Sequence, residues 1–256
     1  LTEPGSGSDA AAMKTRAVRE GDHFVLTGTK AFITNASVGR IAVVMAVTDT
    51  ARGSKGISAF ILEKGTPGFG AGTPYKKLGL HASNTAELIL DNVRVPERQL
   101  CGTLHQGFVN CMQVLEGGRI AMAAMAVGIA QGALDQALRY MKQRSAFGKT
   151  LAEFNGLQGM VADMGTEIEA ARLLTLRAAL LKEAGKPAKL AASMAKVFAS
   201  EVAMRAATKS LQIHGGAGYI TEFPIERIFR DAKLTEIGEG TSEVQRMVIA
   251  REILGV

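Results

Sequence analysis

Ile120-Ala-Met-Ala-Ala-Met-Ala-Val-Gly-Ile-Ala-Gln-Gly-Ala-Leu134 is the most apolar stretch of the chain, and its reading decides between a membrane segment and a buried helix. It runs for 15 residues and is interrupted by Gln131, short of the roughly 20 needed to span a bilayer. Apolar residues recur through and beyond it at Val127, Ala130, Leu134, Leu138 and Met141, the three- and four-residue spacing of one helix face. The stretch therefore predicts a long buried helix and no membrane span.

The same texture continues towards the C-terminus, where alanine supplies 26 of the last 156 residues and nine of the eleven methionines fall. Helices are predicted near 104–144, 154–183, 187–213, 223–232 and 242–254. Gly185-Lys186-Pro187 closes one and opens the next, because Gly suits a helix end and Pro a first turn. Long helices joined by short loops predict an antiparallel four-helix bundle. Towards the N-terminus the chain changes character. Residues 1–100 hold four of the six prolines and β-rich runs at His23–Thr29, Arg40–Val47, Ile57–Leu62 and Glu87–Val95, with turn clusters between them at the spacing of a sandwich or barrel. The expected fold is α+β and multidomain: an antiparallel β-sandwich or barrel over 1–102, then the bundle over 103–256.

Composition narrows the function classes. With 47% hydrophobic and 21% charged residues the chain is neither disordered nor collagen-like. The net charge of +6 is spread evenly, and aromatic residues make up only 5%, with no Trp, so neither a nucleic-acid stripe nor a base-stacking platform is expected. Cys101 and Cys111 form no framework, which fits a reducing compartment. His23, His81, His105 and His214 are too scattered in sequence for a paired metal motif, so no metal is expected. No Ser sits in a Gly-x-Ser-x-Gly elbow.

Five segments hold the residue types that chemistry needs, and each admits a plain structural reading too. The opening Thr2-Glu3-Pro4-Gly5-Ser6-Gly7-Ser8-Asp9 presents backbone NH groups to a ligand or is simply a capped surface turn. Lys30 to Asn35 ends a strand with an aromatic ring, a hydroxyl and an amide, a wall for a planar ring or merely an edge. Arg144-Ser145-Ala146-Phe147-Gly148 puts a guanidinium after a long helix, suited to phosphate or to the helix dipole. Gln212 to Tyr219 is Gly-rich but follows a helix, so it is no dinucleotide fingerprint, and Gly215 reads as a helix cap. In Ile237 to Arg246, Ser242 with Gln245 reads as a capping box that starts the last helix at Ser242. Glu239 then stands between two glycines just before a helix N-terminus, as an unshielded carboxylate or as a partner of the dipole.

Taken in order, these segments resemble the acyl-CoA dehydrogenase family, together with Lys77-Leu-Gly-Leu-His-Ala-Ser83, Val93-Arg-Val-Pro96 and Gly118-Arg119-Ile120. Eight such pieces lie in register across the chain. The resemblance implies a flavoprotein oxidoreductase of fatty acid or amino acid catabolism, cytoplasmic in a bacterium or in the mitochondrial matrix, whose N-terminal helical domain is missing from this chain. It would use FAD to remove hydrogens from the α and β carbons of an acyl-CoA, pass electrons to an electron-transfer flavoprotein, and assemble as a dimer or tetramer. Glu239 would be the base for the α proton, and desolvation by the acyl chain would strengthen it.

Other roles follow from the same resemblance. Thr2 and Thr34 would hold the flavin ring, with Phe32 against its face where Trp is common. Arg144, Phe147 and Gln158 would bind the ADP half, Gln212, Gly215 and Gly216 would come from a neighbouring subunit, and Thr241 would touch the cofactor. Ser8, Arg119 and Gly240 would contact the substrate. The chain departs from the family in having Gly238 where Tyr often precedes the base and His81 where Arg is common. An oxidase that lets oxygen reach the flavin, and a non-catalytic oligomerisation fragment, are the alternatives.

Overall fold

The computed structural model describes all of residues 1–256, which divide into two compact units: 1–77 with 81–114, and 78–80 with 115–256. In the first unit β1 (Arg16–Glu20), β2 (His23–Thr34), β3 (Ile41–Val47), β4 (Ile57–Glu63), β5 (Phe69–Ala71) and β6 (Thr85–Pro96) form one six-stranded sheet in the order β4-β3-β1-β2-β6-β5. All pairings are antiparallel except β1 with β3. The architecture is the α+β one expected, an antiparallel-rich sheet unit followed by a helical unit.

Alternation builds the sheet's inner face. Phe24 and Leu26 of β2 meet Val44, Phe60, Leu62, Leu90, Val93 and Val95 there, and the rings of Phe24 and Phe60 lie 5.1 Å apart. Along β6 the buried positions run 86, 88, 90 and then 93, 95. The phase changes where Asn92 takes a positive φ of 49° and the pairing with β2 shifts, so a bulge restores the inward face. A second shift in β2 falls between Lys30 and Ile33. It lets the strand run on to Thr34, five residues past the β-rich run read from sequence. β1 and β5 were not legible as strands: of Arg16-Ala-Val-Arg-Glu20 only Ala17 is buried, and β5 has three residues.

The helical unit contains most of α1 (Gly107–Gln143), then a two-strand ribbon of β7 (Ser145–Ala146) and β8 (Lys149–Thr150), α2 (Asn155–Glu183), α3 (Lys189–His214), α4 (Ile225–Ile237) and α5 (Ser242–Leu254). The predicted helices stand within a few residues of their observed bounds, apart from the fourth, which runs five residues further. Gly185, at φ 65°, ends α2, with the amides of Gly185 and Lys186 bonded back to Lys182 and Leu181. α3 is the central element and is buried at Ala191, Ala192, Ala195, Ala199, Ala203, Ala206 and Ala207, where small side chains let neighbouring helices approach closely. Taken over its whole length, α1 is long and apolar enough to cross a membrane by length and composition, a test that the core helix of a bundle also passes. Gln131, which interrupts the apolar stretch 120–134, bonds to Asp135 and Arg172. The apolar stripe Ala123, Ala126, Val127, Ala130, Ala133, Leu134, Ala137 and Met141 is committed to the bundle core.

Candidate active site

Glu239 occupies the turn between α4 and α5. α4 ends where the Gly238 amide bonds to the Leu234 carbonyl, and Glu239 then takes φ 57° and Gly240 φ 87°. A left-handed conformation costs a residue with a Cβ about 1–3 kcal/mol and persists only where its surroundings enforce it. Here the Gln245 side-chain amide donates to the carbonyls of both Glu239 and Gly240, each at 3.0 Å, and the Lys196 ammonium donates to the Gly240 carbonyl at 2.7 Å. Gly240 leaves no room for a Cβ, which would lie 2.7 Å from Gln245 Nε2.

The helix cap differs from the expected one. Thr241 is the N-cap, its hydroxyl accepting from the Val244 amide at 3.4 Å. Ser242 and Gln245 form no capping box, because Gln245 is turned back onto the Glu239–Gly240 carbonyls and the Ser242 hydroxyl is buried without a partner. α5 still begins at Ser242.

The Glu239 side chain is exposed and leans on α1, where a Cβ at Gly118 would stand 2.5 Å from Glu239 Oε2. The next residue, Arg119, is 8% exposed, donates to the Ser193 hydroxyl at 3.2 Å and has a buried Nε with no partner. Burial pulls its guanidinium below the usual arginine range, and Glu116 and Glu239 pull it back up. Lys196 is wholly buried; burial brings its ammonium down to about 8, Glu236, Glu239 and Glu243 oppose that, and Arg119 adds to it. An exposed carboxylate thus stands beside two buried cations, one with an unused donor. Glu239, Gly240, Thr241 and Arg119, each named from sequence, come together here. Lys196 was missed, since its partner lies 44 residues away and no local motif marks it, and Gln245 was read as a capping-box residue although it holds the turn.

In the sheet unit the opening loop is pinned rather than free. Glu3 and Ser6 bridge through their backbones, and the Ala31 amide donates to the Thr2 carbonyl at 2.9 Å. The buried Glu3 carboxylate accepts from the Lys30 ammonium at 2.7 Å and from the amides of Lys14 and Thr15 at 2.6 and 3.0 Å. Burial pushes the Glu3 carboxyl up, but Lys30 and those amides outweigh it and bring it down to about 2. Burial lowers Lys30 as well, and Glu3 offsets only part of that loss. Ser8 stays exposed on the loop. Phe32 sits at the β2 bulge with φ 57°, 67% exposed, its ring 5.2 Å from that of Tyr75. Thr34 is exposed two residues on and lines, with Leu1, Lys30 and Asn35 but not Phe32, a cleft of about 490 Å³.

The remaining residues occupy two further places in the helical unit. Phe147 and Gly148 form the two-residue turn of the β7–β8 ribbon at φ 53° and 80°, the left-handed pair such turns require. Phe147 is 95% exposed there. Arg144 is exposed at the foot of the ribbon, and Gln158 is exposed on the first turns of α2, bonded to the Ala152 carbonyl at 2.8 Å. At the end of α3, Gly215 is the helix cap with φ 57°, and Gln212, Gly215 and Gly216 are exposed.

Residues 105–254 match the acyl-CoA dehydrogenase C-terminal domain and residues 1–93 the acyl-CoA dehydrogenase middle domain. The chain belongs to the acyl-CoA dehydrogenase family, oxidoreductases acting on CH-CH groups. It is 51% identical to the short-chain specific acyl-CoA dehydrogenase of Clostridium acetobutylicum over 99% of its own length and 67% of that protein. It is 46% identical to a subunit of the caffeyl-CoA reductase–Etf complex of Acetobacterium woodii, again over 99% and 67%. The structure of butyryl-CoA dehydrogenase from Megasphaera elsdenii superposes with a TM-score of 0.98 at 48% identity, covering 99% of this chain and 67% of that one.

The residues present fit FAD, the family's cofactor. Two aromatic rings, Phe32 and Phe147, are held in left-handed backbone and turned to solvent. Each position costs free energy twice, in strain and in exposed apolar area, and a bound planar group would offset the second cost.

Proposed function

We propose that this flavoprotein oxidises a short-chain acyl-CoA thioester to the trans-2-enoyl-CoA, with Glu239 as the base, and passes the electrons to an electron-transfer flavoprotein. The observation that carries the reading is the strained Glu239 turn, clamped through its carbonyls and aimed at Gly118 beside the unused donor of Arg119. Short-chain preference and the flavoprotein partner are supported by the names of the relatives just described.

Glu239 would take the α proton of the substrate, which the thioester carbonyl makes removable. Bound FAD would supply the acceptor for the β hydrogen, as hydride. Arg119 would lie beside the acyl thioester and Gly240 would leave its backbone open to the substrate, with Ser8 reaching the CoA moiety. Thr2, Phe32 and Thr34 would hold the flavin ring, and Arg144, Phe147, Gln158 and Thr241 would hold other parts of the cofactor. Gln212, Gly215 and Gly216 would serve a neighbouring copy's FAD in a homo-oligomer. The exposed Leu173, Leu176 and Leu180, on one face of α2, support such an assembly. Segments 1–102 and 103–256 would divide these tasks, the first facing flavin and acyl-CoA, the second carrying the base and the oligomer contacts.

The test is anaerobic mixing of the yellow, FAD-loaded protein with butyryl-CoA and with a long-chain acyl-CoA. Bleaching of the visible flavin absorbance is expected to be fast with the short substrate and slow with the long one, and reoxidation in air is expected to be slow. A flavin that butyryl-CoA leaves yellow would overturn the reading, and rapid reoxidation in air would make the protein an oxidase.

Gly118→Ala supplies a second check, because the new methyl would stand 2.5 Å from Glu239 Oε2, the movable end of a side chain, which must shift. Helix propensity predicts unchanged or slightly raised stability, by up to about 1 kcal/mol. Displacing the carboxylate is expected to slow single-turnover bleaching by up to about 100-fold. Thermal melting and stopped-flow absorbance on the same preparation separate the two effects.

A further inference from the structure

We infer that Lys196 is a positioning residue for Glu239: together with Gln245 it holds the carbonyls of the left-handed turn, and its ammonium attracts the Glu239 carboxylate. This rests on the reading of Glu239 as the base. Three donor contacts converge on two adjacent carbonyls, from Lys196 on α3 and Gln245 on α5. Both donors are wholly buried, whereas the carboxylate they support is exposed. An interior lysine is among the costlier side chains to bury, and a single backbone carbonyl neutralises none of its charge. If turn geometry alone were required, a neutral donor of the Gln245 kind would serve.

The charges around Lys196 explain what the ammonium adds. Glu239 is in the turn, Glu236 lies on α4, Glu243 on α5 and Arg119 on α1, while Lys182 of α2 reaches α1 near Gly117. Glu236 is already paired with Lys233, and Glu243 has Arg246 and Lys233 near it, whereas Glu239 has Lys196 and Arg119. Both cations attract the Glu239 carboxylate from the buried side of the turn. Burial has also brought Lys196 close to losing its own proton, at about pH 8.

The test uses the FAD-loaded protein with butyryl-CoA in anaerobic stopped flow, across pH, on three variants. Lys196→Met removes charge and donor at similar volume. It is expected to slow bleaching by about 10- to 100-fold, the kinetic equivalent of a charge-assisted hydrogen bond, with the substrate concentration dependence unchanged and the acidic limb of the rate profile moved to higher pH. Gln245→Met removes two hydrogen bonds without changing charge, and is expected to slow bleaching and leave the limb in place. Glu239→Gln is the control on the underlying reading. If Glu239→Gln keeps the wild-type rate, the base is elsewhere and the reading itself fails. If Glu239→Gln is inactive while Lys196→Met bleaches at the wild-type rate, or slows with an unmoved limb, only the role of Lys196 is overturned. Should Lys196→Met fail to fold, Gln245→Met at the wild-type rate overturns the clamp by itself.

Discussion

Glu239→Gln is expected to slow flavin bleaching by butyryl-CoA by about 10²–10⁴-fold, the usual cost of losing a general base, while the protein still folds and keeps its FAD. The amide has the shape of the carboxylate and cannot take the proton. The turn is held through the carbonyls of Glu239 and Gly240, not through the Glu239 side chain, so the left-handed backbone should survive the change. A carboxylate that only complemented the N-terminus of α5 predicts another result: a loss of about 0.3–1 kcal/mol in stability and nearly normal turnover. Rate and melting temperature, measured on one preparation, distinguish the two.

Lys30→Met is expected to lower stability by about 3–5 kcal/mol, because it leaves the Glu3 carboxylate buried with no cation. The dependence on pH should also become shallower. In the native protein Glu3 titrates at about 2, below its ordinary 4.5, so its contribution is complete above pH 4.5 and fades as pH falls from 4.5 towards 2. Without Lys30 the amides of Lys14 and Thr15 still oppose the effect of burial, so the variant's stability should fall off less as pH drops through that range. Glu3→Gln combined with Lys30→Met should recover much of the loss, since no uncompensated charge remains. Urea midpoints at several pH values check this, and a single variant as stable as wild type would show that the pair contributes little.

The helices were legible because their apolar spacing is local and long: the fifth was read to its observed limits, and the first three to within three residues at either end. The strands were legible where β-branched and aromatic residues alternate and illegible where they do not. β1 has a single inward side chain, and the continuation of β2 to Thr34 depends on a bulge that only its pairing with β6 creates. The same division holds for the chemistry. Glu239 was visible because flanking glycines and a helix start are a local pattern, and the family resemblance then gave it a role. Lys30 with Glu3 and Lys196 with Gly240 are 27 and 44 residues apart. Nothing near a lysine in sequence says that it will be buried. The cap moved from Ser242 to Thr241 for a related reason: the competing use of Gln245, in holding the turn, is a tertiary fact.

The alanines of α3 give the helical unit a lopsided tolerance to change. A core lined with leucine or phenylalanine is injured by loss of methylene groups, through the cavities they leave. At Ala192, Ala195 and Ala199, wholly enclosed between neighbouring helices, there is almost nothing to lose, and any larger side chain must push a whole helix aside. Sequence drift at these positions is therefore confined from above, by size, and scarcely at all from below. Lys196 lies next to Ala195 on the same helix, so a swelling there would carry the ammonium with it, and damage to the interior would register first as a misplaced carboxylate rather than as an unfolded chain.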